Sequence, residues 1–267
     1  MRPAGSPASA LSPGLALGTL GFCVLSWATA FVLVPTLRGA GVPLGIRGVL
    51  LMSQVMLALP AVLALRAARV WPFDQALSVG GTVRAALLGF TFWITSLGLL
   101  QIQQTLWPPP PGYLETFRQL HHQLRPATPL DAAASVTAIG LAPALCEELV
   151  FRGMLLPALA AWGSGPALLV SAALFGGMHV DLTGQGAVLY RVPFAFAIGL
   201  GLGYLRLRSG SLLAPMVAHG VLNTLTYSVV AAGAEETPAG ELPLRVGATI
   251  LLAGIALSAL LLGRMKR

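Results

Sequence analysis

The chain has 267 residues, of which 56% are hydrophobic and 9% charged, and its mean hydropathy is +0.80. Soluble domains average about 25% charged residues, so this composition excludes an ordinary soluble fold and indicates long lipid-facing segments. The net charge of +7 does not predict a nucleic-acid partner, because the basic residues are spread through short loops and form no stripe.

Eight apolar segments of about 20 residues, the length that crosses a bilayer, follow one another along the chain. They fall near 13–36, 48–66, 82–106, 132–160, 166–185, 188–206, 211–232 and 244–263. Nearly all connections between them are short. The prediction is therefore an all-α polytopic membrane protein, with about eight transmembrane helices in one bundle and a single domain over residues 1–267. The sequence carries no signal for an oligomeric state.

The distribution of basic residues predicts the orientation in the bilayer. With the N-terminus in the cytoplasm, nine Arg and Lys residues fall on the cytoplasmic side and six on the other side. This bias favours a multi-pass protein of the cell inner (plasma) membrane with both termini in the cytoplasm. A single Lys against 15 Arg, with abundant Ala, Gly, Leu and Pro, indicates a GC-rich bacterial coding sequence.

The one longer connection, residues 107–131, is predicted to hold a short amphipathic helix on the membrane surface. It opens with four prolines at 108–111, which cannot continue the preceding helix. The following residues form two faces at helical spacing. The apolar face is Leu114, Phe117, Leu120 and Leu124, and the opposite polar face is Glu115, Arg118 and His122.

The fourth predicted span carries two adjacent glutamates and an arginine: Glu147, Glu148 and Arg152. Charged groups at membrane depth are costly and normally mark functional sites. Glu148 and Arg152 are four residues apart, so they can form an ion pair on one helix face. Glu147 is turned about 100° away and must find another partner. It is the candidate general base, although both glutamates could instead form only an internal ion-pair network with Arg152.

Two later spans each carry a polar pattern with a spacing of four residues. Phe175 and His179 share a helix face, and the glycines between them permit close helix approach. His219 and Asn223 project from one face towards the same point, where two donors together can stabilise an oxyanion. A structural role also stays open for each, as a histidine bonded to a carbonyl or as an interhelical hydrogen-bonded pair.

Together and in this order, the three motifs resemble those of the CAAX-protease and bacteriocin-processing (CPBP, or Abi) family of intramembrane proteases. This family includes the prenyl-protein endopeptidases that trim CAAX tails. The resemblance covers about residues 132–231, which would be the catalytic core, and every position of EExxxR, FxxxH and HxxxN is present. It implies an eight-helix bundle with the active site in a conical cavity.

The resemblance also implies a glutamic-type endopeptidase that needs no metal or other cofactor. In such an enzyme Glu147 and His179 polarise a water for attack on the scissile carbonyl, and His219 and Asn223 hold the resulting oxyanion. Glu148 and Arg152 become supporting residues.

The expected substrate is a membrane-associated protein or peptide, cleaved at a terminus or a juxtamembrane segment, because a helical bond inside the bilayer is shielded. Removal of a C-terminal sorting tag and processing of a peptide are two such reactions. Two alternatives stay open. The same residues could ligate zinc in an intramembrane metalloprotease, or they could line a path in a noncatalytic immunity or transport protein.

Overall fold

The computed structural model describes residues 11–73, 75–110, 112–183, 186–233 and 243–263. Their regular secondary structure is helical apart from one short antiparallel hairpin, which confirms the predicted all-α membrane fold. In chain order the elements are α1 (Pro13–Gly39), α2 (Ile46–Ala67), α3 (Val79–Leu106), α4 (Tyr113–Leu124), α5 (Pro129–Trp162), α6 (Ser164–Gly177), β1 (Asp181–Thr183), β2 (Gly186–Val188), α7 (Val192–Ser209), α8 (Leu213–Ala231) and α9 (Leu244–Gly263).

Helices lie in all eight predicted segments. Among the residues described, α1, α2, α3, α5 and α9 are long and apolar enough to cross a membrane, and α6 is apolar but has only 14 residues. The helices α7 and α8 coincide with the sixth and seventh predicted spans. The chain is therefore a multi-pass membrane protein, and the number of eight crossings stays a prediction.

The fifth predicted span is shorter in the structure than in the prediction. Instead of continuing to residue 185, α6 ends at Gly177, and the hairpin pairs Asp181 with Val188. The physical reason is local, because the stretch after His179 contains an aspartate and two glycines, which favour turns over helix. His179 consequently lies in the turn that joins α6 to β1.

The helix α5 begins at a capping box. The Thr128 hydroxyl accepts a hydrogen bond from the Asp131 N–H at 3.1 Å, and the Asp131 carboxylate accepts one from the Thr128 N–H at 3.1 Å. Pro129 occupies the first turn, where its missing N–H costs nothing. These residues fix the start of the helix that carries the two glutamates.

Two segments of α5 have the wider hydrogen-bonding pattern of a π-helix in place of that of an α-helix. Two π-helical segments, Val136–Leu141 and Leu149–Leu155, flank the α-helical segment Ala142–Glu148. π-helical turns are rare in proteins overall, and those that occur are often found at functional sites. The second π segment begins directly after Glu148 and contains Arg152.

The predicted amphipathic helix is confirmed as α4, and its position on the membrane surface stays a prediction. Its polar face is exposed at Glu115, Arg118 and His122, whereas Leu124 is buried. The C-terminal end of the helix is held by hydrogen bonds to the Leu124 carbonyl from the Tyr227 hydroxyl at 3.2 Å and from Arg47 Nη2 at 3.3 Å.

The apolar core consists of two clusters of buried side chains. One is built mainly by α1, α2, α5 and α6, and the other by α3, α7 and α8. Of the helices that carry the three motifs, α5 and α6 contribute to the first cluster and α8 to the second. Polar contacts join α5 to α8 and to α7.

Candidate active site

Three of the six predicted site residues form a buried cluster: Glu148, Arg152 and His219. Arg152 Nη1 donates to Glu148 Oε1 at 2.9 Å, and His219 Nδ1 donates to the same oxygen at 2.9 Å. The side chains of Glu148 and Arg152 are 0% exposed and His219 is 4% exposed. The ion pair predicted from the spacing of four residues is confirmed, and it also fixes an imidazole from α8.

The guanidinium of Arg152 is satisfied further by α7 and α6. Its Nη2 donates to the Gly199 carbonyl at 2.8 Å, and its Cζ lies 4.5 Å from the centroid of the Phe175 ring. Gly199 allows this approach, because a Cβ there would lie 3.1 Å from Phe175 Cδ1 and 3.3 Å from Ala172 Cα. Buried charges persist in proteins when they are paired and hydrogen-bonded in this way.

Among the described residues, Glu147 shares no hydrogen bond with this cluster. It is half-buried, and its Oε1 accepts a hydrogen bond from Gln54 Nε2 on α2 at 3.3 Å. The prediction that Glu147 needs a partner other than Arg152 is confirmed, and the partner is a neutral amide. Two adjacent glutamates therefore have different environments, one neutralised by a guanidinium and the other held by a group without charge.

His179 is half-buried, and the orientation of its ring is fixed by a hydrogen bond to the last turn of α6. Its Nδ1 lies 2.8 Å from the Phe175 carbonyl oxygen, which only accepts, so Nδ1 carries the hydrogen. The neutral ring then has its lone pair on Nε2. The predicted shared face is confirmed, because the rings of Phe175 and His179 are 4.9 Å apart.

The glycines of this motif differ in their role. A Cβ at Gly176 would lie 3.1 Å from Phe196 Cβ and 3.1 Å from the Val192 carbonyl, so close approach to α7 is confirmed there. At Gly177 a Cβ would meet nothing within 4 Å.

Phe175 is the side chain that connects the motifs. Its ring packs edge-on against Phe151 at 5.1 Å and lies 6.1 Å from the His219 ring, in addition to its contacts with Arg152 and His179. Both imidazoles and the guanidinium are thus positioned against one aromatic ring.

Asn223 does not bond to His219. Its Nδ2 donates to the Ile139 carbonyl on α5 at 3.3 Å. Pro143 lies four residues after Ile139 and has no N–H with which to complete the usual helical bond to that carbonyl. The two residues of this motif therefore reach different partners on α5, His219 reaching Glu148 and Asn223 reaching Ile139.

Glu147, His179 and Asn223 form what we call the half-buried group, because each has an intermediate exposure and a neutral partner. No hydrogen bond joins the three to one another among the described residues. In the part of the chain that the structure describes, no set of three His, Cys, Asp or Glu side chains is arranged to hold a metal ion.

A polar contact just beyond His179 ties the surface helix to the hairpin. The Tyr113 hydroxyl donates to Asp181 Oδ2 at 2.6 Å, and Arg191 Nη1 lies 3.6 Å from Asp181 Oδ1. Burial, together with the neighbouring Asp181, raises the pKa of Tyr113 well above its ordinary value, so the hydroxyl stays protonated. Sequence reasoning did not single out these residues or Gln54, because no motif contains them.

Fold and site together define a polytopic helical membrane protein that carries carboxylate, imidazole and amide side chains on α5, α8 and the turn after α6. The segment that contains all three motifs also matches a known family. Residues 129–225 match the family model described as Type II CAAX prenyl endopeptidase Rce1-like. The match covers just over a third of the chain, and it confirms that this segment resembles the CAAX proteases, as the motifs predicted. Comparison with curated proteins found no match, and comparison with solved structures found none.

Proposed function

We propose that the protein is a glutamic-type intramembrane endopeptidase in which Glu147 and His179 activate a water molecule against a peptide bond. The observation that carries this proposal is the different pairing of the two glutamates. Glu148 takes the guanidinium of Arg152, whereas Glu147 is held by the neutral amide of Gln54 and keeps an unneutralised carboxylate. A general base needs such a carboxylate within reach of the reacting water.

The reaction follows from the positions of the lone pairs. The water donates one hydrogen bond to the Glu147 carboxylate and the other to Nε2 of His179, the nitrogen left free by the bond from Nδ1 to Phe175. Its oxygen attacks the scissile carbonyl carbon while Glu147 takes a proton. The tetrahedral intermediate collapses as that proton passes to the amide nitrogen, and the C–N bond breaks to give a carboxylic acid and an amine. The acid keeps the second proton of the water until it releases it to solvent and becomes a carboxylate.

The negative oxygen of the intermediate needs donors, and His219 and Asn223 are the proposed ones. Asn223 uses one amide hydrogen on Ile139 and has a second to offer. His219 donates from Nδ1 to Glu148, so its Nε2 is a donor only when the ring is protonated. In that form the positive ring lies against the Glu148 carboxylate. Glu148 and Arg152 therefore act through His219 and are supporting residues.

The proposed substrates are termini or juxtamembrane segments of membrane-associated proteins or peptides. Such segments can enter the bilayer region unwound, whereas a helical peptide bond is shielded from attack. The proposed setting is the cell inner (plasma) membrane, with both termini in the cytoplasm. Cleavage of a CAAX tail, of another C-terminal sorting tag and of a peptide precursor are all reactions of this kind.

The test compares the membrane and secreted proteins of cells that carry wild-type enzyme, Glu147→Ala or His179→Ala. Each substitution should abolish cleavage, so an uncleaved terminus should accumulate while the variant stays folded and membrane-inserted. Glu115→Ala is the matched control, because this exposed glutamate of α4 lies outside the site. Wild-type processing of every terminus in Glu147→Ala cells would contradict the proposal.

A further inference from the structure

The contact between Gln54 and Glu147 comes from a part of the chain without a family signature. Gln54 lies on α2, well before the matched segment 129–225. Among the described residues its Nε2 is the hydrogen-bond partner of the Glu147 carboxylate, at 3.3 Å across 93 positions of sequence. A helix outside the motif-bearing core thus reaches into the site.

The chemistry of an amide suits this position. A Lys or Arg side chain would form an ion pair with Glu147 and tie up its charge, as Arg152 does with Glu148. A primary amide donates a directional N–H and has no charge, so it fixes the orientation of a carboxylate while leaving its negative charge in place. Because the carboxylate only accepts, the nitrogen of the amide must face Glu147.

We propose that Gln54 is a positioning residue for the catalytic base: its amide N–H holds one oxygen of Glu147 so that the other is directed to the reacting water. This inference rests on the proposed function of Glu147. It extends the functional site from α5, α6 and α8 to α2. Catalytic groups must be held within a narrow range of geometry, and losing a neighbour that holds them lowers turnover.

A purely structural role for Gln54, as a link between α2 and α5, makes a different prediction. The chain offers a matched comparison in Gln103 on α3, which is also a span glutamine. Gln103 Nε2 donates to the Tyr190 carbonyl, and both glutamines have a buried Oε1 without a hydrogen-bond partner among the described residues. The two glutamines differ in the acceptor of the N–H. For Gln54 the acceptor is the carboxylate of the proposed base, and for Gln103 it is a backbone carbonyl.

The experiment compares Gln54→Met with Gln103→Met in the full-length protein in lipid vesicles. The probe is a synthetic peptide that spans the terminus accumulating in Glu147→Ala cells. Losing a hydrogen bond to a charged group corresponds to a rate loss of roughly 10- to 100-fold. We expect that loss in kcat for Gln54→Met with KM nearly unchanged, because the bond acts on the reacting group and not on substrate binding. Gln103→Met should keep a wild-type kcat per folded molecule, and its unfolding temperature should be similar to that of Gln54→Met.

Gln54→Asn separates positioning from packing. It retains the amide but withdraws it by one methylene, so its kcat should lie between those of wild type and Gln54→Met. Its stability should not exceed that of Gln54→Met, because Met fills the same volume with apolar atoms. A structural link would instead make activity follow stability. If Gln54→Met does not fold, a reduced kcat with unchanged KM in Gln54→Asn supports the proposal, and a wild-type kcat overturns it.

The failure of this inference and that of the proposed function are distinguishable. A wild-type kcat per folded molecule in Gln54→Met, or a loss no larger than in Gln103→Met, overturns the role of Gln54 while Glu147→Ala stays inactive. Normal cleavage by Glu147→Ala overturns the assignment of the base itself.

Discussion

The buried cluster and the half-buried group use the same types of side chain in opposite ways. In the buried cluster, one carboxylate oxygen serves both a guanidinium and an imidazole, and hardly any surface is exposed. In the half-buried group, each side chain makes one bond to a neutral partner and stays partly accessible. The comparison teaches that the first set links α5 to α7 and α8, whereas the second set is the one that the proposed function requires to contact a substrate.

The difference arises within a single helical turn. Glu147 and Glu148 are adjacent, so they point about 100° apart. One faces the interior between α6, α7 and α8, and the other faces α2. Of the predictions below, Arg152→Ala breaks the buried cluster and Asn223→Ala breaks the half-buried group, whereas Tyr113→Phe and metal removal sharpen the comparison by testing a contact beside the site and the chemistry.

The largest expected effect is on stability and comes from Arg152→Ala. Removing one partner of a buried ion pair leaves an uncompensated charge, which costs about 3 to 5 kcal/mol. Glu148 and His219 would lose their common partner, so we expect a large fall in the unfolding temperature in detergent. Arg118→Ala is the control, because its ion pair with Glu115 is on the exposed face of α4 and should contribute less than about 1 kcal/mol. Equal unfolding temperatures for the two variants would contradict a stabilising buried cluster.

The next effect is on turnover and comes from Asn223→Ala. Losing one oxyanion donor typically lowers kcat by about 10²- to 10³-fold, so a trace of activity should remain. Ser228→Ala on the same helix removes only a local bond to the Thr224 carbonyl and serves as the control. A rate for Asn223→Ala equal to that of Ser228→Ala would show that Asn223 is only an interhelical link to Ile139.

A smaller effect is expected from Tyr113→Phe, which removes the bond from the surface helix to Asp181. The loss should be roughly 1 to 2 kcal/mol of unfolding free energy. Because the pKa of Tyr113 is raised, its contribution is fully present below the ordinary tyrosine value of about 10 and is lost only above it. The difference from wild type should therefore be the same at neutral and mildly alkaline pH. Tyr204→Phe, at an exposed tyrosine, is the control, and a difference that vanished at mildly alkaline pH would argue against this bond.

The smallest expected effect is that of metal removal. If Glu147 and His179 activate water directly, incubation with phenanthroline or EDTA should leave the cleavage rate unchanged. Loss of activity that zinc restores would favour the metalloprotease alternative, in which the same residues are ligands.

Sequence reasoning predicted the parts of the site that depend on helical periodicity. The Glu148–Arg152 pair, the shared face of Phe175 and His179, and the amphipathic helix α4 all follow from spacings of three and four residues. Those spacings fix neighbours within one helix, so these predictions are confirmed.

The remaining contacts depend on how helices pack against one another, which periodicity does not specify. Gln54 reaches Glu147 across 93 positions, and Tyr113 reaches Asp181 across 68. The π-helical turns of α5 have no residue signature beyond the prolines that follow them, Pro143 and Pro157, and the end of α6 at Gly177 depended on turn residues that follow an apolar run. The placement of the candidate residues within each helix was therefore predictable, whereas several of their partners were not.

The most direct test of the division between the two sets is a side-by-side measurement of Glu147→Gln and Glu148→Gln. The rate of cleavage is measured per folded molecule, together with the unfolding temperature. We predict that Glu147→Gln unfolds like wild type and loses about 10²- to 10⁴-fold in kcat, the usual contribution of a general base. Glu148→Gln should be strongly destabilised but retain more activity per folded molecule. Wild-type turnover by Glu147→Gln, or a larger loss per folded molecule in Glu148→Gln, would contradict the account.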